Sequence, residues 1–99
     1  MKEQDLQKKI IAHLEACGYH AIKVITSSKR GTPDVIACSP LGVFTAIEAK
    51  APGKLGGVTP LQAFNLAEIT KRGGDAFACD NMDDLRKRIR HPQHELPID

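Results

Sequence analysis

The chain belongs by its pattern to the α/β class, with a mixed sheet of about four strands flanked by helices. Three observations predict this. Apolar residues recur at helical spacing from Glu3 to Cys17; two β-rich segments bracket the turn Ser39-Pro40-Leu41-Gly42; and Thr59-Pro60-Leu61-Gln62 opens a second helix in capping-box form. The resulting order is helix, three strands, helix, strand, helix.

In the first helix Leu6, Ile10, Leu14 and Cys17 share a face with Ile11 beside them, and Gly18 stops it. Tyr19 to Thr26 reads as a strand from its β-branched content, and Ser27 to Thr32 as a small, polar, basic loop. Asp34 to Cys38 and Val43 to Glu48 form a predicted hairpin. Pro40 pre-sets the first turn position, and Gly42 suits the left-handed residue closing a three-residue loop with a bulge. That loop sets Ser39 against Val43, and counting back sets Asp34 against Glu48, with Cβ atoms about 4.5–5.5 Å apart. A two-residue loop would shift the register by one.

A glycine-rich connection, 52–58, leads to the second helix, where Thr59 caps, Pro60 takes the first position and Gln62 the capping-box position. Leu61, Phe64, Leu66, Ala67 and Ile69 are its expected buried side; Lys71 and Arg72 suit its negative end, and Gly73-Gly74 stop it. Asp75 to Cys79 is a short apolar strand. Asp80 or Asn81 caps a last helix with Met82, Leu85 and Ile89 inward, Arg86, Lys87, Arg88 and Arg90 outward, and Pro92 at its end. Residues 1–90 are expected to form one domain and 91–99 a flexible tail.

Composition sets bounds. With 41% hydrophobic and 26% charged residues in 99, the chain has the make-up of an ordinary soluble domain. Its net charge of +2 is too small to indicate a nucleic-acid partner without local clustering. Three widely spaced cysteines, Cys17, Cys38 and Cys79, form neither a disulfide framework nor a zinc site; they read as small buried hydrophobes in a reducing cytoplasm. No apolar run reaches membrane-spanning length, and the start MKEQDLQKK is no signal peptide.

The chemistry concentrates at Thr45-Ala46-Ile47-Glu48-Ala49-Lys50, a buried strand end carrying two charges. Side chains alternate along a strand, so Glu48 and Lys50 point the same way, and Asp34 joins them through the hairpin register. Two apposed carboxylates repel unless a proton or a cation lies between them. A hard divalent ion, Mg²⁺ or Mn²⁺, suits Asp34 and Glu48, with the Ala49 carbonyl as a further oxygen donor. Lys50 then serves to orient water or neutralise charge at phosphorus. The set describes metal-assisted phosphodiester hydrolysis.

Gly31-x-Pro33-Asp34, a spacer, Ile47-Glu48-x-Lys50 and a glycine-containing loop before Gln62 together resemble the PD-(D/E)XK nuclease superfamily. Within it the chain is similar to the small stand-alone virus-type replication-repair nuclease (VRR-NUC) domains, from Glu3 to about Ile89. Glu3, Leu6 and Gln7 match the family's first-helix spacing, and Gly73 or Gly74 its glycine after the second helix. The resemblance implies a restriction-endonuclease-like fold, Asp34 and Glu48 as metal ligands, Lys50 as catalytic lysine, Gln62 in support and Glu3 as an accessory acid. It departs from the family in a short segment before Pro33, where many relatives carry a longer loop, and in the small Ala49. It also implies phage carriage, hence host-cell cytoplasm, and by analogy with Holliday-junction resolvases of the same fold, a homodimer.

Each residue also has a plainer role. Asp34 suits a turn after proline, Glu48 and Lys50 a solvated strand end, Gln62 the helix cap, and Glu3 its own helix dipole. His91 and His94 fall in the tail, and His13 and His20 carry no catalytic spacing. Lys29, Arg30, Lys54, Lys71 and Arg72 are solvated charges singly and a phosphate-binding rim together. Tyr19, Phe44, Phe64 and Phe77 are few, three of them in apolar segments, which argues against a single-strand stacking platform. The expected function is a metal-dependent endonuclease on duplex or branched DNA. The alternatives are a non-catalytic binding module of the same fold and a nucleotide phosphohydrolase.

Overall fold

The computed structural model describes residues 1–90; the expected tail, with His91, Pro92 and His94, lies outside the described residues. Helix α1 (Glu3–Ala16) leads to strands β1 (His20–Lys23), β2 (Val35–Cys38) and β3 (Phe44–Ala49), then a 3₁₀ turn (Leu55–Gly57), α2 (Pro60–Lys71), β4 (Asp75–Cys79) and α3 (Met82–Arg88). The four strands lie in sequence order, β1-β2-β3-β4. The first three are antiparallel neighbours, and β4 joins β3 in parallel by the α2 crossover. The predicted α/β class and element order hold.

The hairpin turn closes as its residues dictate. Gly42 takes φ +82°, where a side chain would be strained. Its N–H donates to the Ser39 carbonyl at 2.8 Å, and the Ser39 N–H donates to the Val43 carbonyl at 3.0 Å. Cys38 therefore pairs with Phe44 and Val35 with Ile47, which brings Asp34, one residue before the strand, opposite Glu48. The predicted register is the observed one.

Alternation then divides the sheet into two faces. Val35, Ala37, Ile47 and Ala49 face α1 and α3 and form the core with Leu6, Ile10, Leu14, Cys17, Leu85 and Ile89. His13 Nε2 meets the Ile89 carbonyl at 2.7 Å, fastening the end of α3 to α1. Asp34, Ala46 and Glu48 face the other way, toward α2.

Here three expectations fail for one reason. Helix α2 packs chiefly over β4 and β3, leaving the same face of β1 and β2 largely open. Of its expected buried residues Leu66 alone is buried; Leu61 and Phe64 are 45% and 58% exposed, Ala67 is exposed and Ile69 half-buried. Cys38, on the uncovered side, is exposed, whereas Cys17 and Cys79 are buried. Phe44 and Phe64 are exposed rings rather than core. Strand β1 is also shorter than predicted, because its partner β2 begins only at Val35; Ile25 beyond it is 80% exposed.

The β1–β2 connection is clamped onto α2. Gly31 has φ +75°, and a Cβ there would come 2.9 Å from Leu61 Cγ and 3.1 Å from the Leu61 carbonyl carbon. Asn65 Nδ2 donates to the Arg30 carbonyl at 3.0 Å. Glycine at this position lets the loop lie against the helix, and the loop delivers Pro33 and Asp34 to the sheet.

Candidate active site

Asp34, Glu48, Lys50 and Gln62 converge at the carboxyl end of β3. Asp34 Oδ2 accepts the Ala49 N–H at 2.9 Å, so the aspartate is held across the strand gap. In a continued ladder that N–H would meet the backbone of residue 33, and residue 33 would return an N–H to the Ala49 carbonyl. Pro33 has none to give. The ladder therefore leaves the Ala49 carbonyl without a donor from β2, beside the two acids.

Glu48 is 2% exposed. Its Oε2 accepts from Gln62 Nε2 at 3.2 Å and lies 3.8 Å from Lys50 Nζ, a loose ion pair. Its Oε1 is buried with no hydrogen-bond partner. Burial is the largest cause raising the Glu48 pKa from 4.5 to about 8. The Asp34 carboxyl close beside it and that group's charge add to the rise, Lys50 opposes it, and Glu3 adds a little. Without a further cation this carboxyl holds its proton near neutrality.

Gln62 combines the two roles that its sequence position left as rivals. Its Oε1 accepts the Thr59 N–H at 2.9 Å while its own N–H donates to Thr59 Oγ1 at 3.1 Å, completing the capping box. The same amide turns its Nε2 to Glu48. One side chain starts the helix and holds the acid.

The remaining candidates are placed differently. Glu3 is in the first turn of α1, near enough for its charge to act on Glu48. Among the described residues, however, no three His, Cys, Asp or Glu side chains gather into a metal-binding cluster. Lys29, Arg30 and Lys54 are exposed on the loops flanking Asp34 and Lys50. Lys71 and Arg72 lie farther along α2: nine residues of helix set Lys71 about 14 Å along the axis from Gln62. Both are engaged by Glu68, at 3.7 Å and 2.7 Å.

Gln7 fits the first-helix pattern, and the sequence assigns it no site role. It is 6% exposed, and its Oε1 is buried without a partner. The available signal was its place in the helical row with Ile10 and Leu14, an amide where an apolar side chain belongs.

Comparison with known proteins adds kinship to this geometry. A phage protein named "Putative nuclease p44", from Acyrthosiphon pisum secondary endosymbiont phage 1, is 28% identical over 83 residues, covering 84% of this chain and 87% of its own. A solved structure titled "VRR_NUC domain" superposes with a TM-score of 0.78 at 26% identity, covering 97% of this chain and 99% of that one. The profile of the VRR-NUC domain matches residues 1–83. With most of the chain matched, and the expected acids, lysine and glutamine gathered at one strand end, the protein belongs to the VRR-NUC domain family.

Proposed function

We propose that the protein is a divalent-metal-dependent endonuclease that hydrolyses phosphodiester bonds in duplex or branched DNA, Holliday junctions among them. Membership of the VRR-NUC family and the name of the phage relative support nuclease activity. The observation that carries the metal requirement is the buried, unpartnered Oε1 of Glu48 against Asp34. The donor set fits a small hard cation: two carboxylates plus the Ala49 carbonyl that Pro33 leaves unmatched. Mg²⁺ or Mn²⁺ bound there supplies Lewis acidity toward water and phosphate.

The protein's own groups have distinct tasks in this reading. Asp34 and Glu48 hold the ion; Gln62 fixes the Glu48 carboxylate by its amide; Lys50, only loosely paired, neutralises negative charge building on the phosphate oxygens in the transition state. Glu3 tunes the acid pair by its charge. Lys29, Arg30 and Lys54 meet backbone phosphates near the acids, and Lys71 and Arg72 serve DNA that extends along α2.

A chain this small carries one such site, so cutting both strands of a duplex calls for a symmetric homodimer. Sedimentation tests this, a monomer at working concentration being the contrary result. Among the described residues no helix is long and apolar enough to cross a membrane. With a phage relative, host-cell cytoplasm is the proposed place of action.

The test incubates the protein with labelled linear, flapped and four-way-junction DNA and with free nucleotides, in Mg²⁺, Mn²⁺ or EDTA. Internal cuts in DNA with metal alone are expected, and Asp34→Asn and Glu48→Gln should abolish them while retaining DNA binding. Binding without cleavage overturns the enzymatic reading in favour of a non-catalytic module. Release of phosphate from small substrates alone points to a nucleotide hydrolase.

A further inference from the structure

Phe64 stands on the outer side of α2 and is 58% exposed. A lone exposed ring is ordinary. This one borders an open cavity of ≈ 500 Å³, of the size that takes small ligands, lined also by Lys29, Thr32, Pro33, Asn65, Glu68, Ile69 and Arg72.

The lining is of two chemical kinds. Phe64, Ile69 and Pro33 give an apolar wall with one aromatic face. Among the polar groups, Asn65 is committed to the Arg30 and Leu61 carbonyls at 3.0 and 3.1 Å, and Arg72 to Glu68 at 2.7 Å. Lys29 has no ion-pair partner among the described residues. Pro33 immediately precedes Asp34, so the cavity adjoins the catalytic acids.

We propose that this cavity receives an unpaired nucleotide of the DNA substrate, its base stacked on Phe64 and its phosphate drawn to Lys29. The inference rests on the nuclease reading for its substrate class and narrows that class to DNA with unpaired positions. A base in an intact duplex has no free face to offer a ring, whereas an unpaired base does. Charge complementarity favours a nucleotide as occupant: the Glu68 carboxylate in the lining is taken up by Arg72, which leaves Lys29 as the lining cation without an ion pair, and a nucleotide brings the anion.

The probe is a ten-nucleotide oligothymidylate compared with the fully abasic strand of the same length, which carries the same phosphates without bases. Anisotropy in EDTA keeps catalysis out of the measurement, so a protein that never cuts still reports on the cavity. The full chain should bind the base-bearing strand about tenfold more tightly. Phe64→Ala should bind both alike, Phe64→Trp should keep the preference, and Lys29→Ala should weaken both by a similar factor. Equal binding of the two strands by the parental protein overturns the proposal, as does a preference that survives Phe64→Ala. So does sedimentation showing that Phe64→Ala splits a dimer while its base preference stays intact, since the face is then a protein interface.

Discussion

The side chain on which most depends is Glu48. Its opposition to Asp34 was legible because Pro40 and Gly42 select one loop, and one loop selects one register. Its burial was legible from the apolar residues around it. The orphaned Oε1 was not, since that depends on where Gln62 and Lys50 reach in three dimensions. The raised pKa has a thermodynamic consequence. The folded chain binds the Glu48 proton more tightly than the unfolded chain, so in chelator its stabilising contribution is full below about pH 4.5 and is lost as pH rises through about 8. Glu48→Gln should flatten that slope in urea titrations run across this range; a parallel slope in the variant would place the titration elsewhere. Lys50 belongs at this scale too. Lys50→Ala should keep the metal-induced rise in melting temperature yet slow single-turnover cleavage ~10²–10³-fold, the scale of losing one electrostatic stabiliser. Cleavage at the parental rate would remove Lys50 from the chemistry.

Among the elements, α2 and the loop clamped to it set the site. Two substitutions separate the halves of Gln62. Thr59→Ala removes the hydroxyl that receives the Gln62 N–H and should cost about 1 kcal/mol of stability with cleavage largely kept. Gln62→Glu still offers an oxygen to the Thr59 N–H but loses the Nε2–H donated to Glu48 and adds a like charge; it should fall chiefly in rate. Loss of stability without loss of rate in Gln62→Glu would leave the residue a cap alone. Gly31→Ala meets both a left-handed φ and the Leu61 backbone, so about 1–3 kcal/mol of destabilisation is expected by thermal melting, with activity falling further as Asp34 shifts. The start of α2 was readable from Thr59-Pro60-Leu61-Gln62, because capping is local. Its buried face was misjudged because helical periodicity marks apolar residues without saying how much sheet lies beneath them. Leu61 and Phe64 look like core in sequence and stand at the helix's open flank in space.

Across the whole molecule, fold class and strand order followed from element order and short connections, whereas surface electrostatics did not. The five basic residues grouped as one rim do not gather at the acids: Arg72 and Lys71 lie farther along α2 and share the single carboxylate of Glu68, Arg72 bordering the same cavity as Lys29. The DNA-facing charge thus rests mainly on the loops near the acids. Lys29→Ala combined with Arg30→Ala should lower the slope of log affinity against log salt by about one to two units, measured with duplex DNA. Lys71→Ala with Arg72→Ala should change it less. The reverse ranking would put the DNA path along the distal end of the helix.

The shared amide of Gln62 has a temporal corollary. During synthesis both acids and the lysine leave the ribosome before residue 62 does, yet the amide that secures the glutamate is set only when the second helix winds. A nascent or frayed polypeptide carries every reactive group without their alignment. On the proposed mechanism, hydrolytic competence therefore waits on the winding of the second helix.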